Sequence, residues 1–243
     1  KVMLEKDWGC KDLLVAPHLI PEVQKILRKG EWGVTAAIHR DMDSSRPFIV
    51  GLWPGLKNEA YGIACDIGST TIAMHLVSLL SGRIVGSTGT SNPQIRFGED
   101  LMSRVSYVMM NPGGEKELTA SVRTAVDSLI GEAAKEAGVE RAAILEVTVA
   151  GNPIMHHLFL GLDPTELGGA PFALTIDGGY EARASELGLD IAPGGYVYAL
   201  PCIAGHVGAD AAGVALAEAP YLSEELTLIA DVGTNAEILF GDK

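Results

Sequence analysis

The sequence predicts an α/β protein built on a mixed sheet, on three observations. Two β-rich hairpins follow one another from Tyr61, later apolar strands are separated by helices, and one strand–turn pattern, Asp-x-Gly followed by hydroxyl or amide residues, occurs twice. Consecutive hairpins make antiparallel neighbours, whereas strands separated by helices need crossovers and therefore parallel pairing.

The first stretch has its own pattern. Pro21 to Gly30 reads as a short helix, with proline at its start, Val23, Ile26 and Leu27 on one face, basic residues late and glycine as its stop. Gly33–His39 and Phe48–Leu52 read as strands around the polar turn Asp41–Ser45, and Trp53–Asn58 as a linker. From Tyr61 come three strands, Tyr61–Ile67, Thr71–Leu79 and Arg83–Thr90, with turns at Gly68-Ser69-Thr70 and Ser81-Gly82. Helices follow at Glu99–Met109 and Glu115–Ala137, the second with Leu118, Val122, Val126, Leu129, Ile130 and Ala133 on one face. Then come a strand Ile144–Val149, a helix Pro153–Leu160, a strand Tyr196–Leu200 and a small-residue helix Val207–Ala217. A last hairpin is expected from Leu226–Val232 and Glu237–Phe240. The order after residue 60 is thus βββαβαβα and then ββ, with the last pair restarting the opening pattern. The expected units are 1–58, a small α/β region; 59–222, the main lobe; and 223–243, the first hairpin of a second lobe. The chain begins at Lys1 without Met and reads as a piece of a longer protein.

Composition narrows the function classes. Apolar residues are 47% and charged residues 20% of 243, with a mean hydropathy of +0.22, which excludes disorder. Lys and Arg number 18 against 31 Asp and Glu, a net charge of −13 with no basic run, so neither nucleic acid nor an anionic membrane surface is the expected partner. No spanning apolar stretch is present, and a soluble cytoplasmic protein is expected. Cys10, Cys65 and Cys202 are far apart and in no CxxC array, which suits a reducing compartment and leaves this chain without a cysteine set for a cluster or zinc. GxGxxG, GxxxxGK[ST] and GxSxG are all absent from the sequence.

The matched turns carry the chemistry. Cys65-Asp66-Ile67-Gly68-Ser69-Thr70-Thr71 and Ala230-Asp231-Val232-Gly233-Thr234-Asn235-Ala236 each put an Asp at the end of an apolar strand, then glycine, then polar residues. Glycine removes the Cβ that would block a phosphate, and the successive N–H groups and hydroxyls supply donors. The Asp needs a cation before it tolerates phosphate, and water-bridged Mg²⁺ is the natural choice. Two such turns facing each other would clamp a polyphosphate.

These turns resemble the phosphate loops of the actin, sugar kinase and Hsp70 ATPase superfamily, and βββαβαβα resembles its ribonuclease H-like lobe. Gly208–Ala215 resembles its small-residue connecting helix, with Asp210 near the nucleotide or else serving the helix N-terminus. Within that superfamily, four strings resemble the ATP-dependent reductive activators of corrinoid proteins: Asn92-Pro93-Gln94-Ile95-Arg96-Phe97-Gly98-Glu99-Asp100-Leu101-Met102-Ser103-Arg104, the run from Gly151 to Pro164, the run from Pro201 to Asp210, and the run from Asp231 to Ile238.

The resemblance implies ATP and Mg²⁺ as cofactors, with Gly68, Ser69, Thr70, Thr71, Gly233, Thr234 and Asn235 on the phosphates. Asp66 and Asp231 would hold Mg²⁺ through water, and Asp210 would orient the attacking water. It also implies a corrinoid protein as partner, returned from Co(II) to Co(I), and a [2Fe–2S] domain in the parent protein that this chain does not carry. The adenosine motif and most of the second lobe would lie past Lys243, so this stretch alone is expected to bind ATP poorly. The electron donor and oligomeric state stay open, a homodimer included. A small-molecule kinase of the same superfamily and a non-catalytic nucleotide-responsive scaffold are the competing readings. His156, His157 and His206 read as packing or capping residues, Asp163-Pro164 and Asp177-Gly178-Gly179 as turns. Glu99, Asp100 and Arg104 read either as a solvated i,i+4 set or as cleft residues.

Overall fold

The computed structural model describes residues 2–40, 42, 46–233 and 236–243. In the first region, helix α1 (Val2–Trp8), strand β1 (Leu14–Val15) and helix α2 (Val23–Lys29) precede strands β2 (Val34–Arg40) and β3 (Pro47–Pro54). β3 lies between β1, parallel to it, and β2, antiparallel. Cys10, Leu13, Leu19 and Ile49 form its small core. α2 ends at Gly30 as expected, but α1 and β1 are additional: two residues give β1 no legible period, and no residue of α1 is buried. Asp41, Asp43, Ser44 and Ser45 of the expected polar turn lie outside the described residues.

The main sheet begins with β4 (Tyr61–Ile67), β5 (Thr71–Ser78) and β6 (Ile84–Ser91), followed by α3 (Leu101–Met110) and α4 (Gly114–Ala137). β7 (Ile144–Ala150), α5 (Pro153–Leu160), β8 (Tyr180–Arg183), β9 (Tyr196–Ala199) and α6 (Ala209–Glu218) complete it, and β10 (Thr227–Val232) and β11 (Ala236–Gly241) form a separate hairpin. The sheet order is β6-β5-β4-β7-β9-β8. β4 pairs antiparallel with β5 and parallel with β7, and β7 is parallel to β9. The meander followed by parallel crossovers is the ribonuclease H-like arrangement of an actin-like ATPase lobe, with β8 added antiparallel at one edge. The sequence reading misses β8 because four residues, Tyr-Glu-Ala-Arg, carry too little period to declare a strand.

Packing follows the expected faces. Ile63, Cys65 and Ile67 of β4 and Ile72, Met74 and Leu76 of β5 point to one side of the sheet, where the α4 stripe Leu118, Val122, Val126, Leu129, Ile130 and Ala133 covers them. α3 starts at Leu101 rather than Glu99 because Asp100 is its cap, accepting the Ser103 N–H at 2.7 Å in a reciprocal box. α6 starts at Ala209 because residues 204–207 close a bridge of their own, the Ala204 N–H reaching the Val207 carbonyl at 2.9 Å.

The first region meets the added edge strand. His39 of β2 stacks on Tyr196 of β9 at 3.8 Å, and its Nε2 lies 2.7 Å from Glu181 Oε1 on β8.

Phe159 is wholly buried where α5 meets the core. Phe159→Ala is expected to cost about 3–5 kcal/mol, a fall of roughly 6–20 °C in melting temperature for a domain of this size, read by thermal unfolding.

Candidate functional site

The strands that end beside the cavity are those at which the sheet changes direction. β4 has its antiparallel neighbour on one side and its parallel neighbour on the other, so the loop after it opens at a topological switch point, where α/β sheets characteristically bind ligands. A cavity of about 220 Å³ lies there, lined by Asp66, Gly68, Ser69, Thr70, Thr71, Asn152, Asp210, Asp231, Gly233 and Glu237. The two matched turns therefore border one space, together with all three expected aspartates. Thr234 and Asn235, the remaining expected residues, lie outside the described residues.

The first turn is built tightly. A Cβ on Gly68 would sit 2.7 Å from the Thr71 carbonyl oxygen, so no other residue fits without displacing backbone. Beneath it, Asn92 Nδ2 donates to the Gly68 carbonyl at 2.8 Å, the Asn92 N–H to the Thr70 carbonyl at 2.8 Å, and Arg104 Nη2 to the Ser69 carbonyl. Arg104 is fully buried, so the solvated-pair reading is wrong for it: Asp100 turns away to cap α3 while the guanidinium runs under the turn. The rear wall is the start of α5, where Asn152 caps by accepting the Met155 N–H at 3.0 Å. Gly208, ahead of α6, lies so close that a Cβ would come within 2.5 Å of both Asn152 Cα and Asp210 Oδ1.

Asp210 combines its two sequence readings. Its Oδ1 accepts the Ala211 N–H at 2.9 Å in the first turn of α6, and it borders the cavity. Across from it, the hairpin register sets Asp231 directly opposite Glu237. Four carboxylates thus crowd one space. Burial first, then the charges of Asp210 and Asp231, push the Asp66 carboxyl up to about 6. Burial and the neighbouring Asp231 raise Asp210 despite its backbone bonds, and burial with Asp210 and Asp231 raises Glu237. Among the described residues no three His, Cys, Asp or Glu side chains are close enough to ligate a metal directly. Spaced, mutually repelling oxygens suit a hydrated divalent cation held through its waters.

Sequence reasoning misses Glu237 and Asn152 as cavity residues and leaves Arg104 open between a solvated pair and the cleft. Glu237 had a signal: a turn between Asp231 and Glu237 that pairs Val232 with Ala236 also sets the two acids opposite each other. Asn152 had none from spacing, because its place depends on a chain crossing. The histidines are structural. His157 Nδ1 lies 2.8 Å from the Pro153 carbonyl and its Nε2 accepts the Thr175 N–H at 3.0 Å; His156 is buried beside it, and burial pushes its ring down to about 4. His206 packs against the Phe172 ring at 4.2 Å.

Comparisons with known proteins agree with this architecture. The RACo linker region family matches residues 1–59 and the RACo middle region family matches residues 61–220. A relative, the corrinoid activation enzyme RamQ of Eubacterium limosum, is 34% identical over 182 residues, covering 75% of this chain and 30% of the relative. A solved structure described as a reductive activator for corrinoid,iron-sulfur protein superposes with a TM-score of 0.90 at 32% identity, over 99% of this chain and 38% of that one. The chain thus spans about a third of the length of these relatives.

The carboxylate crowding has a measurable sign. Asp66 ionises near pH 4 in the unfolded chain but only through about 6 when folded, so the native state loses stability as pH rises across that window. Asp66→Asn removes that loss. Without divalent cation at pH 7.5 the variant is expected to gain about 1 kcal/mol, allowing for the partial solvation of Asp66, or roughly 2–4 °C in melting temperature. The gain should vanish by pH 4 in parallel melts of the two proteins.

Proposed function

Because the chain belongs to the RACo middle region family, we propose that it supplies the phosphate-binding part of an ATP-dependent reductive activator, which returns a corrinoid protein from Co(II) to Co(I). The observation that carries this reading is the convergence of both Asp-x-Gly turns on one cavity. At about 220 Å³ the cavity is smaller than the roughly 300–1,000 Å³ of a pocket for a whole drug-sized ligand, and suits a phosphate tail better than an entire nucleotide.

In this reading the first turn, with Gly68, Ser69, Thr70 and Thr71, and the second, with Gly233, Thr234 and Asn235, hold the triphosphate from two sides. Asp66 and Asp231 hold Mg²⁺ through its waters. Bound there, Mg²⁺ offsets the phosphate charge and polarises the terminal phosphoryl group. Asp210 and Glu237 face the same space and orient the attacking water. Hydrolysis of ATP to ADP and phosphate changes how the hairpin β10–β11 is held against the main lobe, and that shift favours the state of the complex in which Co(II) accepts one electron.

The electron comes from outside this chain. Cys10, Cys65 and Cys202 are separately buried free thiols, with Cys65 pushed up to about 12 and Cys202 to about 11 chiefly by burial, so they do not fit a shared cluster. Free thiols suit a reducing cytoplasm, and among the described residues no helix is long and apolar enough to cross a membrane. Residues 1–58 act as the linker domain, 59–222 as the first ATPase lobe and 223–243 as the start of the second.

The test is ATP turnover by the intact protein with and without its Co(II) corrinoid protein, Mg²⁺ and a reductant. Corrinoid-stimulated turnover coupled to Co(I) formation is expected. Asp231→Ala should lower it about 100–1,000-fold, the scale of losing one electrostatic group at a transition state, with folding retained by circular dichroism. An intact protein whose ATP turnover ignores the corrinoid protein would refute the proposal.

A further inference from the structure

Arg104 is wholly buried, yet among the described residues its hydrogen-bond partners are all neutral, and the Asp100 carboxylate acts on it only through space. Nη2 donates to the Ser69 carbonyl, Nε to the Gly98 carbonyl at 3.0 Å, and Nη1 to the Met155 sulfur at 3.1 Å, with Gln94 Oε1 at 3.5 Å. Burial lowers it to about 10, so it stays charged at neutral pH. A buried cation whose hydrogen bonds all go to neutral groups costs the fold stability that an apolar residue of similar size would not. Its contribution therefore has to be sought in what it holds.

It holds one member of a row. The carbonyls of Gly68, Ser69 and Thr70 are three in succession, and all are engaged from beneath: the first and third by Asn92, the second by Arg104. In a trans peptide the C=O and the following N–H point in opposite directions. Fixing those three oxygens to one side turns the N–H groups of the same peptide units, those of Ser69, Thr70 and Thr71, to the other, and these are residues that border the cavity. The guanidinium adds a positive charge behind the turn, on the side away from Asp66, Asp210, Asp231 and Glu237.

We infer that Arg104, with Asn92, is a positioning residue that converts the Gly68–Thr71 turn into a polyphosphate receptor: it orients the backbone N–H groups and offsets the acidic wall opposite. This rests on the nucleotide reading given above and adds to it a residue outside both matched turns. It predicts a loss confined to the phosphates, because a nucleoside without them does not touch the turn.

The experiment is calorimetric titration of the intact protein with MgATP and, separately, with adenosine. In Arg104→Met, MgATP affinity should fall about tenfold or more, the scale of losing a charge-assisted hydrogen bond, while adenosine affinity stays within about twofold of wild type. Arg104→Lys, which keeps the charge but not the planar fork, should recover part of the loss. If Arg104→Met fails to fold, Arg104→Lys and Asn92→Ala carry the test, and both should weaken MgATP while sparing adenosine. Equal loss of both ligands, or unchanged MgATP affinity in a folded variant, overturns the inference. A wild type that binds adenosine but not MgATP overturns the nucleotide reading itself, and this inference with it.

Discussion

Like charges confined to one small space set the terms for the rest of this molecule. Asp66, Asp210, Asp231 and Glu237 come from three different parts of the chain and border the same cavity. Asp66 ends a strand whose alternate residues are core, Asp210 opens a helix, and Asp231 and Glu237 are cross-strand partners. Burial first, and then repulsion from Asp210 and Asp231, holds Asp66 near 6 rather than in the ordinary carboxylate range. Such an arrangement is unfavourable for folding and suited to binding, since a cation and an anion entering together relieve it.

The positive side of the balance is built into the frame. α5 and α6 both begin beside the cavity, so the partial positive charge of two helix starts faces it. Arg104 lies beneath the first turn, held between the carbonyls of Gly98 and Ser69. Asn92 is fixed in turn, because its side-chain oxygen accepts the Gln94 N–H at 2.9 Å while its amide reaches the Gly68 carbonyl. A string that looks irregular in sequence is therefore the scaffold on which the first turn rests.

That contrast explains what could be read before coordinates. Tyr61–Ile67, Pro153–Leu160 and the buried stripe of α4 were legible, because period and caps are local properties of the chain. The paired turns were legible as partners of one space only through their repetition, since a single Asp-x-Gly at a strand end is ordinary hairpin punctuation. β8 was not, being four residues whose strand character comes from pairing with β9 rather than from its own pattern. Arg104 was legible only as an alternative, since its spacing from Asp100 allowed a solvated pair as well as a cleft residue. Only the crossing of the residue 92–104 segment beneath β4 turns it inward, and crossings are not written in local periodicity.

The least self-sufficient element is also the one that carries half of the acidic wall. β10 and β11 pair only with each other among the described residues, and a lone two-stranded hairpin has marginal stability in water. Strand alternation forces a division: Asp231 and Glu237 share one face, while Leu228, Val232, Ile238 and Phe240 lie exposed on the other. The two faces are linked by register, since sliding β10 by a single residue would turn Asp231 outward and bring its apolar neighbours to the cavity side, away from the Glu237 face. The position of the acids therefore depends on the free energy of the opposite, apolar face. The hairpin register thus fixes which face of β10 and β11 meets Asp66 and Asp210 across the cavity.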